Sequence, residues 1–132
     1  MLEGGCQCGA VRYAVDGEFA HHALCHCADC RASSGAPAMA WMAYKSESFR
    51  ITKGEAVAFN SSGDSWRHFC GTCGTGLYFI NETTLPGIVD IQSATLDDAA
   101  NHAPGAQIQT AERLPYMTDL ANLPEFERYP GM

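Results

Sequence analysis

No apolar run in the chain approaches the ~20 residues that a membrane-spanning helix needs, because Lys, Asp or Gly interrupts each hydrophobic stretch within a few positions. No membrane partner is expected. Basic clusters are missing too: Arg12, Arg31, Lys45, Arg50, Lys53, Arg67, Arg113 and Arg128 are scattered, and fifteen acidic against eight basic side chains give a formal charge of −7. Such a surface repels a phosphate backbone, so no nucleic-acid partner is expected. There is neither an internal repeat nor a low-complexity stretch. Met1 to Gly5 meets Cys6 without the basic and apolar regions of a secretory signal, which points to a cytoplasmic location and reduced thiols. With 132 residues, 46% of them hydrophobic, the expectation is a single domain over residues 1–132.

What the chain does have is sulfur. Of its seven cysteines, Cys25, Cys27 and Cys30 fall together in CHCADCR, Cys6 and Cys8 in GGCQCG, and Cys70 and Cys73 in FCGTCGT. An odd number suits disulfides poorly, and a bridge across C-x-C would close a strained ring. Zinc takes a tetrahedral set of thiolates at about 2.3 Å, so the two outer pairs together complete one closed shell. Their glycines tolerate the turn geometry that aims both sulfurs of a pair inward. The middle triplet is then left with three ligands and one open corner, which is where something else can bind. Spacing alone also permits the triplet to recruit Cys70. Iron is the other metal that a thiolate site can take, although zinc is the expectation.

Between the cysteines the chain reads as short strands and turns, hence an all-β fold. Strands are expected over 10–15, 19–24, 38–44, 49–52, 56–60, 65–70, 76–80 and 87–96, with 19–24 partly exposed. Residues 31–38 begin as a helical turn and end in a Gly-Ala-Pro loop that would border the open corner. Residues 97–100 form one helical turn, and the adjacent Asp97 and Asp98 are poorly placed to act as a catalytic pair. Prolines at 104, 115, 124 and 130 preclude long elements in the tail, which should pack as an extended strap. Among the histidines, His21 and His22 are consecutive and His26 points away from its cysteine neighbours, so satisfied or surface roles are favoured. The functional alternative gives His22 or His26 a hydrogen bond to sulfur or a proton to pass on. His68 reads as a cross-strand neighbour. Trp41 suits a core or a pocket wall equally.

In order and spacing, GCQCG, CHCADCR with SGAP behind it, FCGTCGTGL and ATLDD resemble the glutathione-dependent formaldehyde-activating (GFA) enzyme family over nearly the whole chain. The resemblance implies a β-tent of short antiparallel sheets around zinc. It implies two ions, a structural one on Cys6, Cys8, Cys70 and Cys73 and a catalytic one on Cys25, Cys27 and Cys30. The implied reaction is that of a carbon–sulfur lyase, joining formaldehyde to the glutathione thiol to give S-(hydroxymethyl)glutathione. Zinc would stabilise the glutathione thiolate at the open corner or, as the rival mechanism, activate the aldehyde. Arg31, Arg67 or Arg113 would anchor glutathione carboxylates. In place of the Trp that follows a proline in many members, this chain has Tyr116 after Pro115. The alternatives are a related zinc enzyme acting on another small thiol or aldehyde, and a non-enzymatic zinc-stabilised binding module.

Overall fold

Strands β4 (Met39–Lys45) and β9 (Ile88–Gln92) pair antiparallel at the centre of the computed structural model, which describes residues 1–131. Both are buried almost throughout, and MAWMAYK and IVDIQ are correspondingly apolar rather than alternating. On one side β4 pairs with β3 (His21–Cys25), and β3 with β10 (Ala106–Ile108); on the other, β9 is followed by β8 (Gly76–Ile80), β7 (Ser65–Cys70) and β6 (Ala56–Ser62). The result is a seven-stranded sheet, antiparallel except where β10 runs parallel to β3. A second, three-stranded sheet holds β1 (Leu2–Gly5), β2 (Arg12–Val15) and β5 (Phe49–Lys53).

Register sorts the side chains of the large sheet into two faces. His22, Met42, Ile91, Tyr78 and His68 lie opposite one another across successive strands and share one face. That face meets Tyr13 and Val15 of the small sheet, and Leu77, Val89, Tyr44 and Leu96 complete the main core. The β7–β8 pairing jumps from His68↔Tyr78 to Phe69↔Gly76, an inserted residue that lets Leu77 and Tyr78 serve the same core cluster. Leu77 is fully buried, so truncation to Ala would cost about 2–5 kcal/mol. The opposite face carries His21, Ala43, Asp90, Phe79, Arg67 and Phe59 in one row. Trp41 and Cys25, at even spacing from Ala43 and His21, share it.

The architecture is mostly β with one α-helix, α1 (Ala28–Ser34), rather than purely β. The helix begins earlier than the expected turn at 31–38, because the Cys27 sulfur caps it by accepting from the Cys30 amide. It stops at Gly35, whose left-handed φ of 72° lets its amide return to the Arg31 carbonyl. The strand expected at 19–24 runs from His21 to Cys25 and is partly exposed as expected: Phe19, Ala20 and His21 are exposed, whereas His22, Ala23 and Cys25 are buried where β10 covers the outer edge. The strand expected over 87–96 ends at Gln92, where Ser93–Thr95 tightens into a 3₁₀ turn. Asp97 pairs with Arg12 and Asp98 accepts from the Asn101 amide, so the two carboxylates point to separate partners. After β10 the tail forms short 3₁₀ turns between residues 110 and 122. Among the described residues no helix is long and apolar enough to cross a membrane.

Candidate functional site

All seven cysteines are free, and their sulfurs form two separate groups, within each of which every ligand atom lies within 4.8 Å of the others. Cys6, Cys8, Cys70 and Cys73 make the first. Cys6 follows β1, Cys70 ends β7, and the turn to Cys73 closes with the Gly74 amide on the Cys70 carbonyl at 2.8 Å. Gly74 has φ 82°, a value a larger residue would adopt only under strain. Backbone amides point at sulfur here: Val11 to Cys6 at 3.2 Å and Thr72 to Cys70 at 3.4 Å. The Thr75 hydroxyl, 3.2 Å from the Cys73 sulfur, leads the contacts that draw that thiol down to about 5. Donors aimed at sulfur favour thiolates. Cys70 belongs to this group, so a set joining it to the triplet does not form.

Cys25, Cys27 and Cys30 make the second group. Cys25 closes β3, Cys27 caps α1, and Cys30 sits in the first helical turn, where the helix brings it back toward Cys25 at 3.9 Å. Cys25 and Cys30 are buried and Cys27 is half-buried. Burial pushes the Cys30 thiol up to about 12, with contact from Cys27 adding to it, and burial raises Cys25 as well. Three sulfurs crowded in an apolar setting release their protons together only beside a cation. The donor set therefore fits a thiophilic metal ion, and each group can hold one.

Around the triplet, Arg67 places Nη2 4.0 Å from the Cys30 sulfur and 2.7 Å from Asp29 Oδ2, with its guanidinium over the Phe79 ring. Met39 and Trp41 pack directly on Cys25 and Cys30. On the other side the tail forms a clamp. The His26 amide donates to the Ile108 carbonyl at 3.1 Å, the His26 ring hydrogen-bonds with Gln107 Oε1 at 2.8 Å, and the Ala28 amide donates to Glu112 Oε1 at 3.0 Å. Arg31 donates to the carbonyls of His26 and Glu112, at 2.8 and 2.6 Å, so it staples the clamp instead of facing a substrate carboxylate. The histidine bonds go to Ser93 from His22 and to Gln107 from His26, not to sulfur. His68 stacks on Tyr78 at 4.2 Å and belongs to neither sulfur group.

A cavity of about 680 Å³ adjoins the triplet, lined among others by Trp41, Phe59, Arg67, Phe69, Tyr78 and Gln92. No sulfur lines it; Trp41 and Arg67, which both touch the triplet, form the dividing wall. Arg113 is not among its lining residues. Gln92, Gln107 and Glu112 carry no motif. The Gln92 amide lies over Gly76, where a Cβ would collide with it.

The family model described as glutathione-dependent formaldehyde-activating enzyme matches residues 1–112. An uncharacterized lyase of Schizosaccharomyces pombe is 36% identical over 78 residues, which are 58% of this chain and 56% of that protein. A Halomonas elongata protein provisionally named a glutathione-dependent formaldehyde-activating enzyme is 28% identical over 107 residues, 74% of this chain and 66% of that one. The chain thus spans less than two thirds of the length of these curated relatives. A crystal structure of a Rhodobacter sphaeroides protein superposes with a TM-score of 0.64 at 23% identity, covering 80% of this chain and 98% of that one, so the two share a fold.

Proposed function

The chain belongs to the glutathione-dependent formaldehyde-activating enzyme family, and from that premise we propose that it is a zinc-dependent carbon–sulfur lyase joining glutathione, or a related thiol, to formaldehyde. In the reaction the thiol sulfur forms a bond to the aldehyde carbon, the carbonyl π pair moves to oxygen, and the proton lost by the thiol ends on that oxygen. The product is an S-hydroxymethyl thioether alcohol. Lyase activity is the same step in reverse.

The observation that carries this reading is the inequality of the two sulfur groups, four in one and three in the other. Cys6, Cys8, Cys70 and Cys73 are proposed to hold a structural zinc, and Cys25, Cys27 and Cys30 a catalytic one. When bound to the triplet, zinc supplies the positive charge that keeps a fourth sulfur, the substrate's, as thiolate near neutral pH. The chain's own residues do the rest. Cys27, the half-buried member, leaves the triplet approachable, while Trp41 and Met39 exclude water from its other side. Arg67 offsets the negative charge that three cysteine thiolates bring together.

Exchange NMR on glutathione and formaldehyde, with and without the zinc-loaded protein and again after chelation, tests the proposal. Exchange faster than the spontaneous rate, and returned to it by the chelator, is the expected result. An unchanged rate would overturn it.

A further inference from the structure

The cavity beside the triplet is poor in charge. Among the described residues that line it Arg67 is the sole cation, already engaged by Asp29 and by the Cys30 sulfur, and none is a carboxylate. Arg12 is committed to Asp97, Arg50 to Asp16 and Arg31 to two backbone carbonyls, while Arg113 does not line the cavity. By contrast three rings, Trp41, Phe59 and Phe69, line the space, and its polar lining is uncharged apart from Arg67: Ser33, Ser34, Thr75 and Gln92, with His68, whose pKa burial lowers. Glutathione brings two carboxylates and an ammonium group. Seating them here would leave charges without partners, each desolvated at a cost of several kcal/mol. An apolar body, on the other hand, gains about 25 cal/mol for each Å² it removes from water against those rings.

We propose that the thiol partner of this chain carries an aromatic or branched apolar body with at most one anionic group, seated on Trp41, Phe59 and Phe69. The inference rests on the thiol–aldehyde lyase reading and narrows it. The cavity volume of about 680 Å³ suits a compact ligand held on one side by rings, and Arg67, which lines the cavity and approaches the Cys30 sulfur, marks the end nearest the triplet. Phe59 defines the outer wall and is the ring whose removal least disturbs the fold, since it is 59% exposed on β6.

Calorimetry on the zinc-loaded protein with benzyl mercaptan and with glutathione, followed by formaldehyde exchange with each, tests this. Benzyl mercaptan should bind at least about ten-fold more tightly than glutathione. Phe59→Ser should weaken benzyl mercaptan about five-fold at unchanged metal content. Glutathione binding as tightly or more tightly overturns the inference, and accelerated exchange with glutathione would then leave the lyase reading standing. Faster exchange with neither thiol sinks the lyase reading, while the affinity ratio still decides the inference. Binding of neither thiol overturns both.

Discussion

Asp90 sits on β9, and its Oδ1 is buried without a hydrogen-bond donor; His21 Nε2 approaches only to 3.9 Å. Burial raises its pKa, and the His21 charge opposes this only in part. A carboxyl that is harder to ionise when folded favours the native state while protonated. That stability is complete below the unfolded value and is lost as pH rises through the window up to the raised folded value. Asp90→Asn should therefore raise the neutral-pH melting temperature by several degrees, with the gain shrinking to nothing below about pH 4. Thermal scans of both proteins across pH check the sign; a gain that grows in acid would refute it. Arg67 is the second telling residue, because besides its pair with Asp29 its charge lies beside the Cys30 sulfur. Arg67→Gln should lower the metal affinity of the triplet about ten-fold, measured by chelator competition, with no change at the four-sulfur group.

Strand β10 and helix α1 explain what could and could not be read from the sequence. The cysteine pairs were legible because their spacing and glycines speak of local turns, and the two sulfur groups assemble along those lines. Strand β10 was not, since Ala106–Ile108 is too short to show a period and its parallel partner lies far back in the chain. Nor was the start of α1, whose cap is Cys27 instead of the usual Ser, Thr, Asp or Asn. The two are linked, for β10 and the turn after it hold the triplet from behind through Gln107 and Glu112. His26 is fully buried, and among the described residues its Nδ1 has no partner and Gln107 supplies its one side-chain bond. Gln107→Ala should cost about 1–3 kcal/mol, visible as a lower urea midpoint at unchanged slope. No shift in midpoint would mean that water replaces the amide.

The two sulfur groups relate to the molecule in different ways. The closed group spans the fold: Cys8 and Cys70 are 62 positions apart, and Cys6 and Cys70 are part of the core where the two sheets meet. The triplet is local. Its members lie within one strand-to-helix junction that is also held by the α1 cap, the β10 pairing and the Arg31 staple. Metal bound to the closed group is therefore bound to folding itself, because the unfolded chain scatters its ligands. Cys73→Ser should destabilise the protein by roughly several kcal/mol or prevent folding. Cys27→Ser should leave a folded protein, since a serine oxygen caps a helix as well as sulfur does, yet it should lose the metal of the triplet alone. Metal analysis paired with circular dichroism separates the two outcomes. Equal loss of structure in both variants would mean that the triplet supports the fold as much as the closed group, and the division between a structural and a reactive centre would fall with it.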